Sequence, residues 1–280
     1  AYLPLSFLLL FLMSSGIGGI KENLEWLPQD SYFKVLVLDP VSAQTSASLL
    51  VYDVADSKTE KVYNPVNIGV RKMVCRYEMD PNRGVEVGIE FGVHTQFTIV
   101  DVGENLMGGL QNTDYKVGAI VNYKSAKSVY HATLFHQSSH LGDDHMLRTE
   151  FFIPNSKVLN YEQLDLTHSL ELKHSRFYYG FGYNVSPNTT RARKAFQTGY
   201  FYKYPFNPLP DTQYLWGVDV KIYEQNDYHP NFKTGIGLEF ASSKPNSFMI
   251  ILEYYNGHLP HSTLEYQKVQ LYGLGIYFQI

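Results

Sequence analysis

The sequence predicts an all-β protein, a transmembrane antiparallel β-barrel of about twelve strands that covers residues 45–280. Apolar and polar residues alternate through most of the chain, which is the pattern of strands with one apolar and one polar face. Aromatic residues make up 15% of the chain, although its mean hydropathy is slightly negative. A barrel with one face in lipid and one face in water combines these two properties.

The N-terminal segment has the features of an export signal. Residues 3–13 are largely apolar, and small residues follow at 14–18. This arrangement predicts a signal peptide at 1–20, with a retained membrane anchor as the alternative. The apolar run is shorter than the ~20 residues that a spanning helix needs. Residues 21–44 then form a predicted periplasmic lead-in to the barrel.

The barrel strands are predicted from the alternation, which is strongest toward the C-terminus. One face of each strand carries aliphatic and aromatic side chains, and the other carries glycine beside charge, as a narrow polar lumen requires. The predicted strands lie near 45–53, 66–77, 85–100, 115–124, 127–138, 158–172, 175–185, 196–204, 213–223, 232–241, 246–256 and 266–280. Residues predicted to face lipid are Trp216, Val218, Ile250, Leu252, Ile276 and Phe278, and those predicted to face the lumen are Glu86, Glu90, Asp219, Lys221 and Glu239.

The connections between these strands alternate between short and long. Short turns with long loops at the opposite end are the layout of outer-membrane barrels, and this predicts a bacterial outer-membrane location. The predicted short connections are 79–84, 125–126, 173–174 and 242–245, and the predicted long ones are 54–65, 101–114, 139–157, 186–195 and 257–265. The exception is 205–212, which lies on the short side by parity but is eight residues long.

The composition argues against several other classes of protein. A formal net charge of −4 does not suit a nucleic-acid binder, which carries a basic face. The single cysteine, Cys75, cannot form an intrachain disulfide and makes a thiolate metal site improbable.

One segment, residues 136–145, carries candidate chemistry. His136 and Ser138 lie two apart on a predicted strand, so both point to the same face. Strand parity places them on the lipid-facing side together with Asn160 of the next strand. Polar side chains are unfavourable there, but a hydrolase whose substrate is a lipid needs them in that position. We therefore predict a lipid acyl hydrolase.

The predicted reaction assigns a role to each residue. Ser138 attacks an ester carbonyl, and His136 takes its proton and later gives a proton to the leaving alkoxide. Asn160 holds the imidazole tautomer. Backbone N–H groups of the loop at 139–142 are predicted to receive the oxyanion.

Resemblances to known families carry this prediction further. His136-Gln137-Ser138 with a following Asn160 resembles the active site of outer-membrane phospholipase A, which implies a twelve-stranded barrel with catalytic His, Ser and Asn on its membrane-facing wall. Another outer-membrane family, the lipid A deacylases, pairs a His-x-Ser with a Glu, which makes Glu150 and Glu162 alternative partners of His136. The chain as a whole is identified as a member of the family catalogued as domain of unknown function 1207. The segments that carry this identification are 114–118, 136–144 and 160–162.

Other interpretations of the same residues remain open. Asp143 and Asp144 are either solvated loop acids or ligands of calcium, a cation that prefers oxygen ligands. The polar cluster is either an active site or an interfacial anchor on a non-catalytic barrel, acting as a narrow pore or a structural or surface-interaction protein. The expected partners are membrane lipids, and the protein is expected to be a monomer or a homodimer. The residues that could meet lipopolysaccharide phosphates are Arg191, Arg193 and Lys194.

Overall fold

The chain forms a closed antiparallel barrel. The computed structural model describes residues 23–52, 60–102, 105–149, 159–186 and 191–279. Its elements are β1 (Leu24–Trp26), β2 (Thr45–Tyr52), β3 (Glu60–Asp80), β4 (Arg83–Val102), β5 (Asn105–Ser125), β6 (Ser128–Leu141), α1 (Asp143–Thr149), β7 (Leu159–Glu171), β8 (Ser175–Asn184), β9 (Lys194–Pro205), β10 (Thr212–Tyr223), a 3₁₀ turn (Glu224–Asn226), β11 (Pro230–Phe240), β12 (Phe248–His258) and β13 (Lys268–Phe278). Strands β2 to β13 each pair with the next, and β13 pairs with β2 to close the sheet. The predicted fold class and the number of strands are confirmed.

The short β1 lies outside this ring of twelve. It pairs with the part of β3 near Cys75, beyond the point where β2 stops. The predicted signal peptide at 1–20 lies outside the described residues, and the division of the chain at residues 20 and 44 stays a prediction. Within the described ranges, none of the helices has the length and apolar character needed to cross a bilayer.

The main difference from the predicted strands concerns the connection at 101–114. It is largely strand, because β4 and β5 continue until Val102 lies opposite Asn105. A bulge explains why alternation misses this extension. Gln96 pairs with Asn112 and Phe97 pairs with Leu110, which leaves one extra residue, Gln111, on β5. Such a residue shifts the inward and outward positions by one, so the period-2 pattern changes phase.

The inward and outward faces follow the sequence prediction. Trp216, Leu252 and Phe278 are exposed on the outer wall, whereas Glu86 and Glu90 are buried in the lumen. Val218 and Ile276 are half-buried on the outer wall. Ile250 is also exposed, and Asp219 and Glu239 are buried, while Lys221 points inward to an ion pair. The outer wall is therefore an apolar surface suited to lipid.

This surface gives a prediction about membrane stability. Leu252 is 61% exposed near the middle of β12, so Leu252→Arg should destabilise the barrel in lipid by roughly 2–4 kcal/mol. Phe248→Arg, at the first residue of β12 and on the same face, should cost less because the penalty falls toward the interface. Urea unfolding in phospholipid vesicles measures both. Equal costs at the two positions would contradict the depth that we assign to Leu252.

Charges in the lumen are paired across neighbouring strands. The Glu90 carboxylate lies 3.1 Å from Arg71 Nε and 2.8 Å from Lys116 Nζ. Lys233 and Glu253 form a second close pair at 2.7 Å. These pairs link β3, β4 and β5 on one side of the lumen and β11 with β12 on the other.

Glu90→Gln is predicted to destabilise the barrel strongly. It would leave Arg71 and Lys116 buried without a carboxylate, and breaking a buried pair in this way costs about 3–5 kcal/mol. The matched control is Asp80→Asn, which breaks the exposed pair with Arg83 and should change stability little. Unfolding midpoints in vesicles compare the two variants. A similar effect of both variants would show that the lumen pair is not desolvated.

The lumen is filled by a segment of the chain that precedes the barrel. Residues 30–44, which we call the plug, contact strands around the whole ring. The Tyr32 N–H donates to Glu86 on β4 at 2.7 Å, Phe33 stacks on His131 of β6 at 4.0 Å, and Asp39 pairs with Lys221 of β10 at 2.8 Å. Val37 packs in a buried cluster with residues of β10, β12 and β13. A segment that touches opposite walls in this way lies inside the barrel.

A second segment enters the lumen between β12 and β13. Residues 259–267, which we call the cap, reach the far wall. Ser262 accepts a hydrogen bond from Gln137 of β6 at 2.8 Å, and Leu264 packs in a buried cluster with residues of β2 and β3. Glu265 accepts both of its 2.6 Å hydrogen bonds from Arg191. The sequence analysis gives Arg191 as a residue that could meet lipopolysaccharide phosphates, but it is 7% exposed, because the inward-folded cap supplies its carboxylate partner.

Candidate active site

The candidate site lies where β6 and β7 pair near the long loops. The register sets Ser138 opposite Asn160 and His136 opposite Glu162. His136, Asn160 and Glu162 are exposed and Ser138 is half-buried, whereas the alternate residues Gln137 and Ser139 are buried. The predicted projection of Ser138, His136 and Asn160 from the outer wall is therefore what the structure has.

Two hydrogen bonds organise the outer face of this strand pair. His136 Nδ1 lies 2.9 Å from Glu162 Oε1. Ser138 Oγ lies 2.7 Å from His140 Nε2, two residues further along the strand. Ser138 thus has a histidine on each side, at positions that all point outward. The structure differs from the prediction in the serine's hydrogen-bond partner, which is His140 instead of His136.

Glu162 is itself held by Ser186, which lies in the connection after β8. Ser186 Oγ donates a short hydrogen bond to Glu162 Oε2, and the Glu162 N–H donates to Ser186 Oγ at 2.5 Å. Ser186 is buried. The Glu162 carboxylate is therefore fixed on one oxygen by Ser186 and bonded to the His136 ring on the other.

The partner of His136 corrects the role given to Asn160. The sequence assigned the orienting role to Asn160, with Glu150 and Glu162 as alternatives. His136 Nδ1 is hydrogen-bonded to Glu162 because these two residues lie directly opposite each other on β6 and β7, whereas Asn160 lies opposite Ser138. Glu150 lies outside the described residues.

The inner face of the same strand is locked by the cap and by β5. Gln137 donates to Asp114 at 2.8 Å, and Ser139 donates a short hydrogen bond to the other oxygen of the same carboxylate. Thr263 of the cap donates to Ser139 at 2.6 Å. Both neighbours of Ser138 are thus held by buried hydrogen bonds, so the backbone beneath the candidate nucleophile is rigid.

The oxyanion donors expected at 139–142 are placed differently from the prediction. Residues 139–141 belong to β6 instead of a loop, and the Gly142 N–H donates to the carbonyl of Gln111 at 3.0 Å. The long loop starts three residues later than predicted because β6 continues to pair with β5 up to Leu141. The Gly142 N–H is therefore engaged within the fold.

The predicted calcium ligands lie in the first turn of α1. Asp144 accepts a hydrogen bond from the Leu110 N–H at 3.1 Å, which attaches the helix to β5. Across the ranges that the structure describes, no group of three or more His, Cys, Asp or Glu side chains is arranged to hold a metal ion. Asp143 and Asp144 alone do not make a fitting site, since calcium takes six to eight oxygen ligands. Calcium binding here stays a prediction.

Sequence reasoning missed two members of the cluster. His140 shares the parity of Ser138, so its outward direction could have been read from the alternation. Ser186 gave no such signal, because it follows the end of β8 and reaches Glu162 only through the folding of that connection.

The fold and the site together define a class of protein, an outer-membrane-type β-barrel with a Ser, His and Glu cluster on its lipid-facing wall. The chain belongs to the family described as protein of unknown function (DUF1207), whose model matches residues 16–280. No curated protein sequence matches the chain at a significant level.

Solved structures of outer-membrane phospholipases share the fold. The Salmonella typhi enzyme, described as a dimer with bound calcium, has a TM-score of 0.56 and 11% identity over 84% of this chain and 90% of that chain. Phospholipase A from Escherichia coli has a TM-score of 0.55 and 12% identity over 89% of this chain and 94% of that chain. Another Escherichia coli structure, titled as an asparagine-to-alanine active-site mutant, has a TM-score of 0.54 and 11% identity, covering 89% of this chain and 94% of that chain. At these identities the likeness is one of fold.

Proposed function

We propose that the protein is an acyl hydrolase of the bacterial outer membrane that cleaves ester bonds of membrane lipids at Ser138. The observation that carries this proposal is the hydrogen-bonded cluster of Ser138, two histidines and Glu162 on the wall that faces lipid. A nucleophilic serine needs a base within reach and a third group that orients the base. All three types of group are present on adjacent strands.

The hydrogen bonds assign the base. Glu162 occupies Nδ1 of His136, which leaves Nε2 of that ring to accept a proton. This is the tautomer that a serine hydrolase uses. His136 and Ser138 are two residues apart on the same face, and in this proposal the serine hydroxyl rotates from His140 toward His136 so that Oγ approaches Nε2.

The proposed reaction proceeds in two steps. Ser138 Oγ attacks the ester carbonyl carbon while His136 Nε2 takes the hydroxyl proton, and collapse of the tetrahedral intermediate releases the alcohol, which leaves with that proton. Water then attacks the acyl-serine while His136 takes a proton from it, and the fatty acid is released as His136 gives that proton to Ser138. Glu162 stabilises the imidazolium that forms in each step.

Asn160 and His140 flank the reacting atoms in this proposal. Directly opposed residues on antiparallel strands have Cβ atoms about 4.5–5.5 Å apart, so the Asn160 amide can reach the carbonyl held at Ser138. We assign to it the donation of a hydrogen bond to the oxyanion, a role that amide side chains fill elsewhere. His140 holds the hydroxyl in the resting state.

The solved phospholipases support the proposal through their fold and through one active-site variant. Their names describe enzymes that act on phospholipids, and the variant of the Escherichia coli enzyme replaces an asparagine of its active site. The proposal extends this substrate class to the present chain, with lipopolysaccharide as the alternative lipid and a homodimer as an assembly to be tested. An open pore is not supported, because plug and cap residues fill the part of the lumen that the structure describes.

The direct test is fatty-acid release by the purified protein in mixed micelles. Phospholipid and lipopolysaccharide are offered separately, each with calcium and with a chelator. We expect release from at least one lipid, and the comparison of arms identifies both the substrate and any metal requirement. Absence of release in every arm, from protein that keeps its heat-resistant barrel, would refute the hydrolase proposal.

A further inference from the structure

The plug and the cap meet inside the barrel around a small chamber. The chamber has a volume of about 40 Å³, room for a few water molecules. Asp39 and Val41 of the plug line it on one side, and Pro260 and Glu265 of the cap line it on the other. Its walls carry Lys116, Asp165, Arg191 and Lys221. Residues of two separate inserts and of the barrel wall therefore meet at one polar chamber.

The width of a twelve-stranded barrel makes these inserts necessary for closure. A barrel of eight strands is filled by its own side chains, and one of sixteen leaves an aqueous channel. Twelve strands lie between these cases, and the wall side chains of this lumen are largely polar or charged. The space occupied by the plug and the cap is thus the space that water and ions would otherwise occupy.

The plug is fastened to the wall by charged side chains of the barrel strands. Arg176 of β8 donates to the backbone carbonyls of Lys34 and Val35 at 2.8 and 3.1 Å, and its guanidinium lies 4.5 Å from the Phe33 ring centroid. Lys221 pairs with Asp39 at the chamber. These contacts come from charged side chains that belong to the wall, so the wall stays polar when the plug leaves.

The cap is fastened independently of the plug. Its contacts are the Ser262 bond to Gln137, the Thr263 bond to Ser139 and the pair of Glu265 with Arg191. Burial lowers the pKa of His261 to about 3, so this ring is neutral and adds no charge to the cap. No described contact that fastens the cap is also used to fasten the plug.

From this arrangement we infer that the barrel is a channel for water and small ions that is closed by two seals in series, the plug and the cap. Each seal blocks the lumen by itself. Ions pass through only when both are displaced, and the chamber between them opens to one side when either is displaced. This function is separate from the proposed hydrolase.

The test replaces each seal by a flexible sequence of the same length. In one variant, Gly and Ser residues replace 31–42, in a second they replace 260–265, and a third combines both. The matched control replaces the exposed turn 242–245 in the same way. Planar-bilayer recordings measure conductance, and heat-modifiable mobility on gels confirms a folded barrel for each protein.

We expect steady ion conductance only from the combined variant. Stable conductance of the wild type or of the turn control would overturn the inference, as would a folded combined variant that stays closed. A single variant that conducts as well as the combined one would also overturn it, because the seals would not then act in series.

A second measurement keeps the inference testable if the combined variant does not fold. Gln163 lines the chamber, and Gln163→Cys in a Cys75→Ser background reports access by a hydrophilic thiol reagent in detergent micelles. Labelling should be at least about tenfold faster in either single variant than in the wild type or the turn control, because displacement of one seal widens the access of the reagent to the chamber. Equal rates in all four proteins would overturn the inference.

Discussion

Ser138→Ala should abolish lipid hydrolysis by this protein. The hydroxyl is the only proposed nucleophile, and removal of the nucleophile from a serine hydrolase lowers kcat by at least roughly a thousandfold and as much as a millionfold. The barrel itself should be unaffected, since the Ser138 side chain is on the outer wall and its described hydrogen bond is to His140 alone. Fatty-acid release in mixed micelles measures the loss.

A covalent probe separates this prediction from a general loss of structure. A long-chain fluorophosphonate should label the wild type at Ser138 and leave Ser138→Ala unlabelled. Ser128→Ala, a change on the same strand at the opposite end, is the matched control and should retain labelling and activity. Activity in Ser138→Ala above about a tenth of the wild-type value would remove Ser138 from the mechanism.

His136→Ala and His140→Ala should differ strongly from each other. Only the His136 ring has a carboxylate on Nδ1, so it is the imidazole that can carry a positive charge during the reaction. Loss of a general base costs roughly 10²–10⁴-fold, and we expect a loss of this size in kcat for His136→Ala. His140→Ala should change kcat by less than about tenfold, because the hydroxyl can still turn toward His136.

Two further variants test the orienting group. Glu162→Gln should lower kcat with little change in KM, since it removes the charge that stabilises the imidazolium but makes no contact with the lipid chain. Ser186→Ala should act in the same direction and more weakly, and Ser186→Thr should restore activity by returning the hydroxyl to Glu162. A greater loss in His140→Ala than in His136→Ala would transfer the base to His140 and leave Glu162 without an orienting role.

Strand number and facing were predictable because they depend on local alternation. The alternation of the neighbouring residues indicates that Leu252 faces outward and Glu86 faces inward. The same lipid and lumen environments repeat along every strand. The bulge at Gln111 marks the limit of this reasoning, because one inserted residue changes the phase without changing the composition. The continuation of β4 and β5 was therefore mistaken for a loop.

The site was predictable in its direction but not in its bonding. The alternation along each strand is enough to predict that the side chains of His136, Ser138 and Asn160 point outward. The choice between Asn160 and Glu162 as partner of His136 depends on the register of β7 against β6, and a shift of two residues would exchange them. The burial of Arg191 depends on a residue 74 positions away in the sequence, a distance over which composition and period give no information.

The position of the plug constrains how the protein is assembled. Residues 30–44 immediately precede β2, and β2 forms the seam with β13 that completes the ring. Once that seam has formed, a folded plug fastened to opposite walls cannot enter from the side. The plug must therefore lie within the curved sheet before β13 pairs with β2, so that the interior of this barrel is built ahead of its closure.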